Sequence, residues 1–162
     1  ASGIGVEQWA APVDAIWIDF SKGLGGPGGA AIAGSADFAA RANRFKYMFG
    51  GAMRQSGFLA AAALYGLDHN LDRLAEDNAN AARLAAGLVA LGLNLTPPES
   101  NMVFSKPPAG LEVGAFVAAL AKSGVRVSAI GDRVRMVTHL GVSRKDIDSA
   151  ITAFGKACAT ER

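Results

Sequence analysis

The amino-acid sequence predicts an α/β chain with two parts, a β-containing N-terminal part over residues 1–70 and a small α+β part over residues 71–162. Short apolar runs bounded by glycine and proline indicate strands, whereas leucines between residues 54 and 91 recur at helical spacing. Alanine and glycine make up about a third of the 162 residues and aromatic residues only 7%. This composition favours close-packed helices and tight turns over an aromatic-rich sandwich.

The first predicted strands lie on either side of a glycine-rich segment. Residues 14–20, Asp-Ala-Ile-Trp-Ile-Asp-Phe, are rich in β-forming residues and predict a buried strand, and residues 30–34 predict a second strand. Residues 1–12 have the composition of a connection. Ser35 is placed to cap a helix that ends at the two glycines of residues 50–51.

The helical spacing between residues 54 and 91 is long for a small domain. A single helix of this length extends roughly 55 Å, so we expect that it bridges two domains, bends near Asn70, or does both. The same kinds of signal predict the remaining elements. The first two are a proline-interrupted strand over 93–96 and 102–106 and a helix over 112–123. They are followed by a hairpin over 125–128 and 133–138 that turns at Gly131-Asp132, and by a helix over 144–159 capped by Ser143.

Charge and hydropathy exclude several classes of function. The net charge is +2, and the basic residues are scattered among acidic ones, so no stripe could neutralise a row of phosphates and nucleic acid is a poor candidate partner. The longest apolar run, residues 57–67, is about half as long as a membrane-spanning helix. A single cysteine, Cys158, cannot form an internal disulfide and is expected to act as a small apolar residue, which fits the cytoplasm. No residues have the spacing of metal ligands.

The glycine-rich segment, Gly-Leu-Gly-Gly-Pro-Gly from Gly23 to Gly28, matches the G-x-G-x-x-G pattern. It leads into a strand-length segment rather than a helix, so we exclude a dinucleotide-binding loop. A phosphate-binding Walker loop is also excluded, because its lysine follows the glycines whereas Lys22 precedes them.

Lys22 itself is a candidate nucleophile. It follows the strand predicted to be buried, and burial of an amine lowers its pKa towards the neutral form that Schiff-base chemistry needs. The competing interpretation is an ordinary surface lysine, but the position of Lys22 at the end of an apolar strand favours a reactive lysine in a functional site.

Four blocks of sequence resemble the low-specificity L-threonine aldolases, which are pyridoxal 5'-phosphate enzymes of the aspartate aminotransferase fold type. The resemblance extends from the first residues to about residue 154, and its blocks are residues 17–29, residues 50–55, residues 67–77 and residues 134–140. It implies that residues 1–70 are the C-terminal part of a large, mixed-sheet, cofactor-binding domain. Residues 71–162 are then the small C-terminal α+β domain.

The resemblance assigns roles to three residues. Lys22 matches the lysine that binds pyridoxal phosphate as a Schiff base, and Arg135 matches the arginine that holds the substrate carboxylate. Arg54 is expected near the phosphate or a subunit interface. Tyr47 replaces a lysine that many relatives have, and Gly141 replaces a common aspartate.

The two histidines are not assigned to catalysis. His139 lies in the last block, but a single histidine beside a strand end is more often a hydrogen-bonded structural residue than a base, and His69 falls at the expected helix bend.

The implied activity is retro-aldol cleavage of threonine or allo-threonine to glycine and acetaldehyde. The alternatives are a β-eliminating lyase or a racemase-like enzyme of the same fold, or a non-catalytic subunit or fragment. The sequence offers no convincing base for the β-hydroxyl proton. The resemblance also implies a homo-oligomer, a dimer or a tetramer.

The family places a carboxylate for the pyridine nitrogen, a ring stacked on the cofactor and a phosphate-binding turn upstream of its lysine. The acids closest to Lys22 in the sequence, Asp14 and Asp19, lack the family's Asp-Gly-Ala-Arg context. We therefore expect this chain to be the C-terminal half of the enzyme, completed by an N-terminal companion chain or missing segment. Without that half, we expect apolar residues of the first strands to be exposed: Ile16, Trp17, Ile18 and Ile32.

Overall fold

The computed structural model describes residues 2–159, which form two compact units, one over residues 2–73 and one from residue 74 onwards. None of the helices in this described part of the chain is long and apolar enough to span a membrane. Each unit is presented by itself below.

The first unit contains two strands and three helices: α1 (Val6–Ala10), β1 (Ala15–Asp19), β2 (Ala30–Gly34), α2 (Ala36–Met48) and α3 (Gly57–Asn70). β1 and β2 form an antiparallel pair, in which Trp17 lies opposite Ile32. α1 falls in the segment expected to be a connection, so that expectation is wrong. The side chain of Gln8 explains the short helix in part, because its Oε1 accepts a hydrogen bond of 3.2 Å from the Gly5 amide at the helix N-terminus.

The sequence correctly predicts both strands of this hairpin, but it wrongly predicts that the first strand is buried. Trp17 is 73% exposed, and Ile18 and Ile32 are exposed as well. α2 packs against β2, and nothing else in the unit covers the two-stranded sheet extensively. The expectation that β1 is buried is therefore wrong for this chain. The expected exposure of apolar residues is confirmed for Trp17, Ile18 and Ile32, whereas Ile16 is half-buried.

Local capping determines the ends of α2. The Ser35 Oγ accepts a hydrogen bond of 3.2 Å from the Phe38 amide, as predicted. Gly50 ends the helix with a φ of 75°, a left-handed conformation that glycine adopts without strain. The long helical run is interrupted after Asn70, and the next helix begins at Leu74, so the predicted break near Asn70 is confirmed.

The second unit is a three-stranded antiparallel sheet with helices packed on it. Its elements are α4 (Leu74–Ala90), β3 (Met102–Ser105), α5 (Val113–Lys122), β4 (Ser128–Ile130), β5 (Arg133–Val137) and α6 (Arg144–Ala159), and the strand order is β3-β5-β4. β4 and β5 turn at Gly131-Asp132 as predicted, with Gly131 at a φ of 58°. β4 begins later than predicted, and the predicted strand over 93–96 is reduced to one bridge between Leu95 and Ser105.

The core of this unit lies between the helices and one face of the sheet. Val103, Val134 and Met136 point into it, and α4 and α5 pack against the strands that carry them. Phe116 of α5 and Phe154 of α6 meet edge-on, with ring centroids 5.6 Å apart. Because side chains alternate along a strand, the residues between the core positions of β5 lie on the opposite face.

Candidate functional site

Lys22 lies in the turn that follows β1, and Asp19 at the end of that strand organises the turn. The Asp19 Oδ1 accepts hydrogen bonds from the Ser21 amide at 3.0 Å and from the Ser21 hydroxyl at 2.6 Å. The Lys22 Nζ donates to the Asp19 Oδ2 at 2.8 Å. The Lys22 ammonium and two Ser21 donors thereby lower the pKa of Asp19 from 3.8 to about 2.

The Lys22 side chain is 74% exposed, so the expected desolvation of its amine is wrong for this chain. The reason is the open hairpin, since a strand without a covering layer cannot bury the residue that follows it. The amine is instead accessible and is held by a carboxylate of the same turn.

Two residues of α3 hold the loop after Lys22 in place. Leu24 is buried, and its carbonyl oxygen accepts a hydrogen bond of 2.8 Å from the Asn70 Nδ2. A Cβ atom at Gly66 would lie 2.7 Å from the same carbonyl oxygen, so only glycine permits this close approach. Neither Gly66 nor the contact of Asn70 with this loop is predicted from the sequence. A glycine inside an alanine- and leucine-rich helix was the available signal for Gly66.

The far side of the same loop lies beside open space. A Cβ atom at Gly28 or Gly29 would contact nothing within 4 Å, and Gly29 has a φ of 98°. These two glycines also line a cavity of about 360 Å³, together with Lys46, Met53 and other residues of α2, α3 and the segment between them.

Arg54 belongs to the same unit and lies in the turn between α2 and α3. The next residue, Gln55, has a φ of 55°, and no other non-glycine residue in the described range has a positive φ. Arg54 is exposed, and among the described residues no hydrogen bond or ion pair joins it to Lys22. Its expected role at the phosphate or an interface stays a prediction.

Arg135 lies in the second unit, on the face of the sheet opposite to the core. Its neighbours Val134 and Met136 are buried, whereas Arg135 is half-buried and lies opposite Phe104 of β3. The guanidinium Nη2 lies 3.7 Å from the Met102 sulfur. Within the described part of the chain no carboxylate pairs with Arg135, so its fork of N–H donors is open to a carboxylate ligand.

The two histidines have local partners. The His139 Nδ1 accepts a hydrogen bond of 3.1 Å from the Gly141 amide, so its ring is hydrogen-bonded, as predicted. His69 packs against Tyr65, with ring centroids 4.2 Å apart.

Tyr47, which replaces the lysine of many relatives, is exposed. The described residues contain no group of histidine, cysteine, aspartate and glutamate side chains that could hold a metal ion.

Residues 1–108, which include the Lys22 turn and both of its flanking strands, match the model of the β-eliminating lyase family. The chain belongs to this family.

Curated relatives of this chain confirm the resemblance found in the sequence. It is 41% identical over 134 residues to a low-specificity L-threonine aldolase of Escherichia coli, an alignment that covers 83% of this chain and 40% of the relative. It is 32% identical over 166 residues to low-specificity L-threonine aldolase 1 of Arabidopsis thaliana, covering 99% of this chain and 46% of the relative. The chain thus spans less than half the length of these relatives.

Solved structures confirm the predicted fold class. A Listeria monocytogenes protein assigned as an L-allo-threonine aldolase matches with a TM-score of 0.72 and 25% identity, over 95% of this chain and 47% of that protein. An aspartate aminotransferase from Thermus thermophilus matches with a TM-score of 0.69 and 21% identity, over 94% of this chain and 51% of the aminotransferase. The chain therefore has the α/β fold of part of an aspartate-aminotransferase-type enzyme.

Proposed function

We propose that this chain supplies the C-terminal part of a pyridoxal-phosphate-dependent lyase that cleaves threonine or allo-threonine to glycine and acetaldehyde. The observation that carries the proposal is an accessible lysine amine directly after β1, in a chain that is 41% identical to a low-specificity L-threonine aldolase. Lys22 is the cofactor-binding lysine, Arg135 binds the substrate carboxylate, and Arg54 binds the cofactor phosphate or lies at a subunit interface.

The residues around Lys22 fit a bound aldehyde cofactor. The amine is exposed, and Gly28 and Gly29 leave open space beside the same loop. Pyridoxal phosphate, when bound, supplies an electron sink for the electron pair left on the substrate Cα when the Cα–Cβ bond breaks. To hold an aldehyde cofactor, the Lys22 amine would first have to lose a proton and break its hydrogen bond with Asp19. The Asp19 carboxylate therefore opposes attachment of the cofactor to Lys22.

Arg135 contributes orientation rather than proton transfer. Its planar guanidinium can bind a carboxylate through two parallel hydrogen bonds, which a lysine cannot reproduce. Fixing the carboxylate limits rotation about the bonds to Cα and thus helps to align the Cα–Cβ bond for cleavage.

We further propose that an N-terminal companion chain or segment completes the site and that the complete enzyme is a homo-oligomer, a dimer or a tetramer. Two observations support this. The chain spans about 40% of the E. coli relative, and the segment around Arg54 carries large exposed apolar side chains, Phe49 at 83% and Phe58 at 81%. Large apolar side chains that are exposed together are typical of a surface that another polypeptide covers.

Borohydride fixation of the cofactor tests the role of Lys22. We expect reduction of the complete enzyme to attach the cofactor permanently to the peptide that contains Lys22, as located by mass spectrometry. Lys22→Ala should abolish the attachment and lower turnover by about three orders of magnitude or more. The matched control is Lys145→Ala, an exposed lysine of α6, which should leave both unchanged. Attachment at another lysine would overturn the assignment.

A second candidate function is β-elimination, which the description of the matching family favours. The two reactions give different products from threonine: carbon–carbon cleavage gives glycine and acetaldehyde, whereas elimination of water gives 2-oxobutyrate and ammonia. Product analysis of one threonine digest therefore separates them, and we expect glycine.

A further inference from the structure

β5 carries a second arginine beside the proposed carboxylate-binding one. Arg133 and Arg135 flank Val134, which is fully buried in the core, so both arginines lie on the opposite face of the sheet. Two residues along a strand span about 6.6 Å. This backbone spacing is one that the two carboxylates of a small dicarboxylate can bridge when each binds one arginine.

Phe104 of β3 is a neighbour of both arginines. The guanidinium carbon of Arg133 is 5.4 Å from the centroid of the Phe104 ring, within the range of a cation–π interaction. Phe104 is also the cross-strand partner of Arg135. The ring therefore positions the Arg133 guanidinium beside the residue that lies opposite Arg135, although Arg133 is exposed.

The neighbouring carboxylate does not pair with either arginine. Asp132 precedes Arg133 in the chain, but its Oδ2 is bound by the Lys106 Nζ at 2.8 Å. Lys106 is the main cause of the lowered pKa of Asp132, and Arg133 contributes only a weak charge effect. No other carboxylate of the described residues forms an ion pair with Arg133 or Arg135. Both guanidinium groups thus keep donors for an added anion.

We propose that Arg133 is a specificity-determining residue that binds a second carboxylate, so that the substrates of this lyase include β-hydroxy-α-amino acids with a carboxylate on Cβ. This inference rests on the proposed function: Arg135 holds the α-carboxylate, and Arg133 holds the distal one. Paired arginines suit a dicarboxylate because each can form a charge-assisted, bidentate contact.

The corresponding reaction of β-hydroxyaspartate is balanced without an oxidant or reductant. The Cα–Cβ bond breaks, and its electron pair stays with Cα, which takes up a proton and becomes the methylene carbon of glycine. The β-hydroxyl group loses its proton and becomes the aldehyde oxygen of glyoxylate. The distal carboxylate remains on glyoxylate and stays bound by Arg133 until the product is released.

Binding of simple acids to the chain tests the role of Arg133 without any catalysis. Succinate and butyrate have the same number of carbons but two carboxylates and one, respectively. In a titration followed by the Nε–Hε NMR signals of the arginines, we expect succinate to shift both Arg133 and Arg135 and to bind about tenfold more tightly than butyrate. Arg133→Leu should remove this preference, and Arg133→Lys should restore part of it. Arg144→Leu, which removes an exposed arginine at the start of α6, should leave the preference intact.

Equal binding of succinate and butyrate to the unchanged chain, or an unchanged preference in Arg133→Leu, would overturn the proposal. In the complete enzyme we expect Arg133→Leu to lower the ratio of kcat/KM for β-hydroxyaspartate to that for threonine by about tenfold. If the complete enzyme cleaves threonine but the chain does not prefer succinate, only the proposed role of Arg133 is contradicted. If the chain prefers succinate but the complete enzyme cleaves neither amino acid, only the proposed function is contradicted.

Discussion

At the scale of single residues, Asp19 couples the end of β1 to the proposed cofactor lysine. Its carboxylate accepts hydrogen bonds from the Ser21 amide, the Ser21 hydroxyl and the Lys22 amine. Such a carboxylate stays ionised across the physiological pH range and keeps the free lysine amine in the turn. The pair is exposed, so its effect is on the placement of Lys22 rather than on global stability.

The titration of Asp19 provides a direct check of this pair. We expect the carboxyl carbon of Asp19 to titrate in NMR with a pKa of about 2, below its ordinary 3.8. Because the folded-state pKa is lowered, any stability from the pair is fully present above pH 3.8 and is lost as the pH falls towards 2. Lys22→Met should raise the pKa towards the ordinary value, whereas Lys145→Met should not. A pKa near 3.8 in the unchanged chain would show that the pair does not form in solution.

At the scale of elements, the loop after Lys22 depends on α3. Gly66→Ala places a methyl group against the Leu24 carbonyl, which is backbone and cannot move without shifting the loop. We expect a loss of about 1–3 kcal/mol in the free energy of unfolding, measured by denaturant titration. The matched control is Gly57→Ala in the same helix, where an added Cβ contacts nothing and stability should rise by about 0.5 kcal/mol. Equal effects of the two changes would show that Leu24 does not pack on the helix as described.

The start of α6 gives a second prediction at this scale. The Ser143 Oγ accepts a hydrogen bond from the Asp146 amide at 3.2 Å, and the Asp146 Oδ2 accepts one from the Ser143 amide at 2.9 Å. Ser143→Ala should lower the free energy of unfolding of the second unit by about 1 kcal/mol. Ser149→Ala, at an exposed position inside the same helix, should change it by less than about 0.5 kcal/mol. A stability loss in Ser149→Ala as large as that in Ser143→Ala would contradict the capping role.

Elements set by local chemistry were predictable from the sequence. The caps at Ser35 and Ser143 and the turn at Gly131 depend on residues within a few positions of one another, and all are as predicted. The exposure of β1 was not predictable, because burial depends on neighbouring elements that an apolar run does not specify. Likewise, Lys22 could be singled out from its motif, but the bond between Asn70 and Leu24 joins residues 46 positions apart and leaves no local signal.

At the scale of the whole molecule, apolar burial is uneven between the two units. The second unit has a contiguous core, whereas the first exposes large apolar side chains on its hairpin and helices. This difference is expected if further polypeptide covers the first unit, as in relatives of more than twice this length.

The cross-strand pair Trp17 and Ile32 provides a test of that interpretation, since both are mostly exposed. Replacing both with threonine should reduce self-association in light scattering and binding of an apolar dye, and threonine keeps the β-propensity of the strands. Val89→Thr removes a single exposed apolar residue from α4 and is the control. Dye binding that responds equally to the two changes would argue against an apolar interface on the hairpin.

The proposed function is that this chain carries the cofactor lysine and the carboxylate-binding arginine of a threonine-cleaving lyase that other polypeptide completes. Its most direct test is the rate of acetaldehyde and glycine formation from threonine with pyridoxal phosphate present, measured for this chain alone and for the complete enzyme. We predict no cleavage by the chain alone, cleavage by the complete enzyme, and loss of that cleavage in Lys22→Ala. Cleavage by the 162-residue chain alone, or full activity of Lys22→Ala in the complete enzyme, would contradict the account.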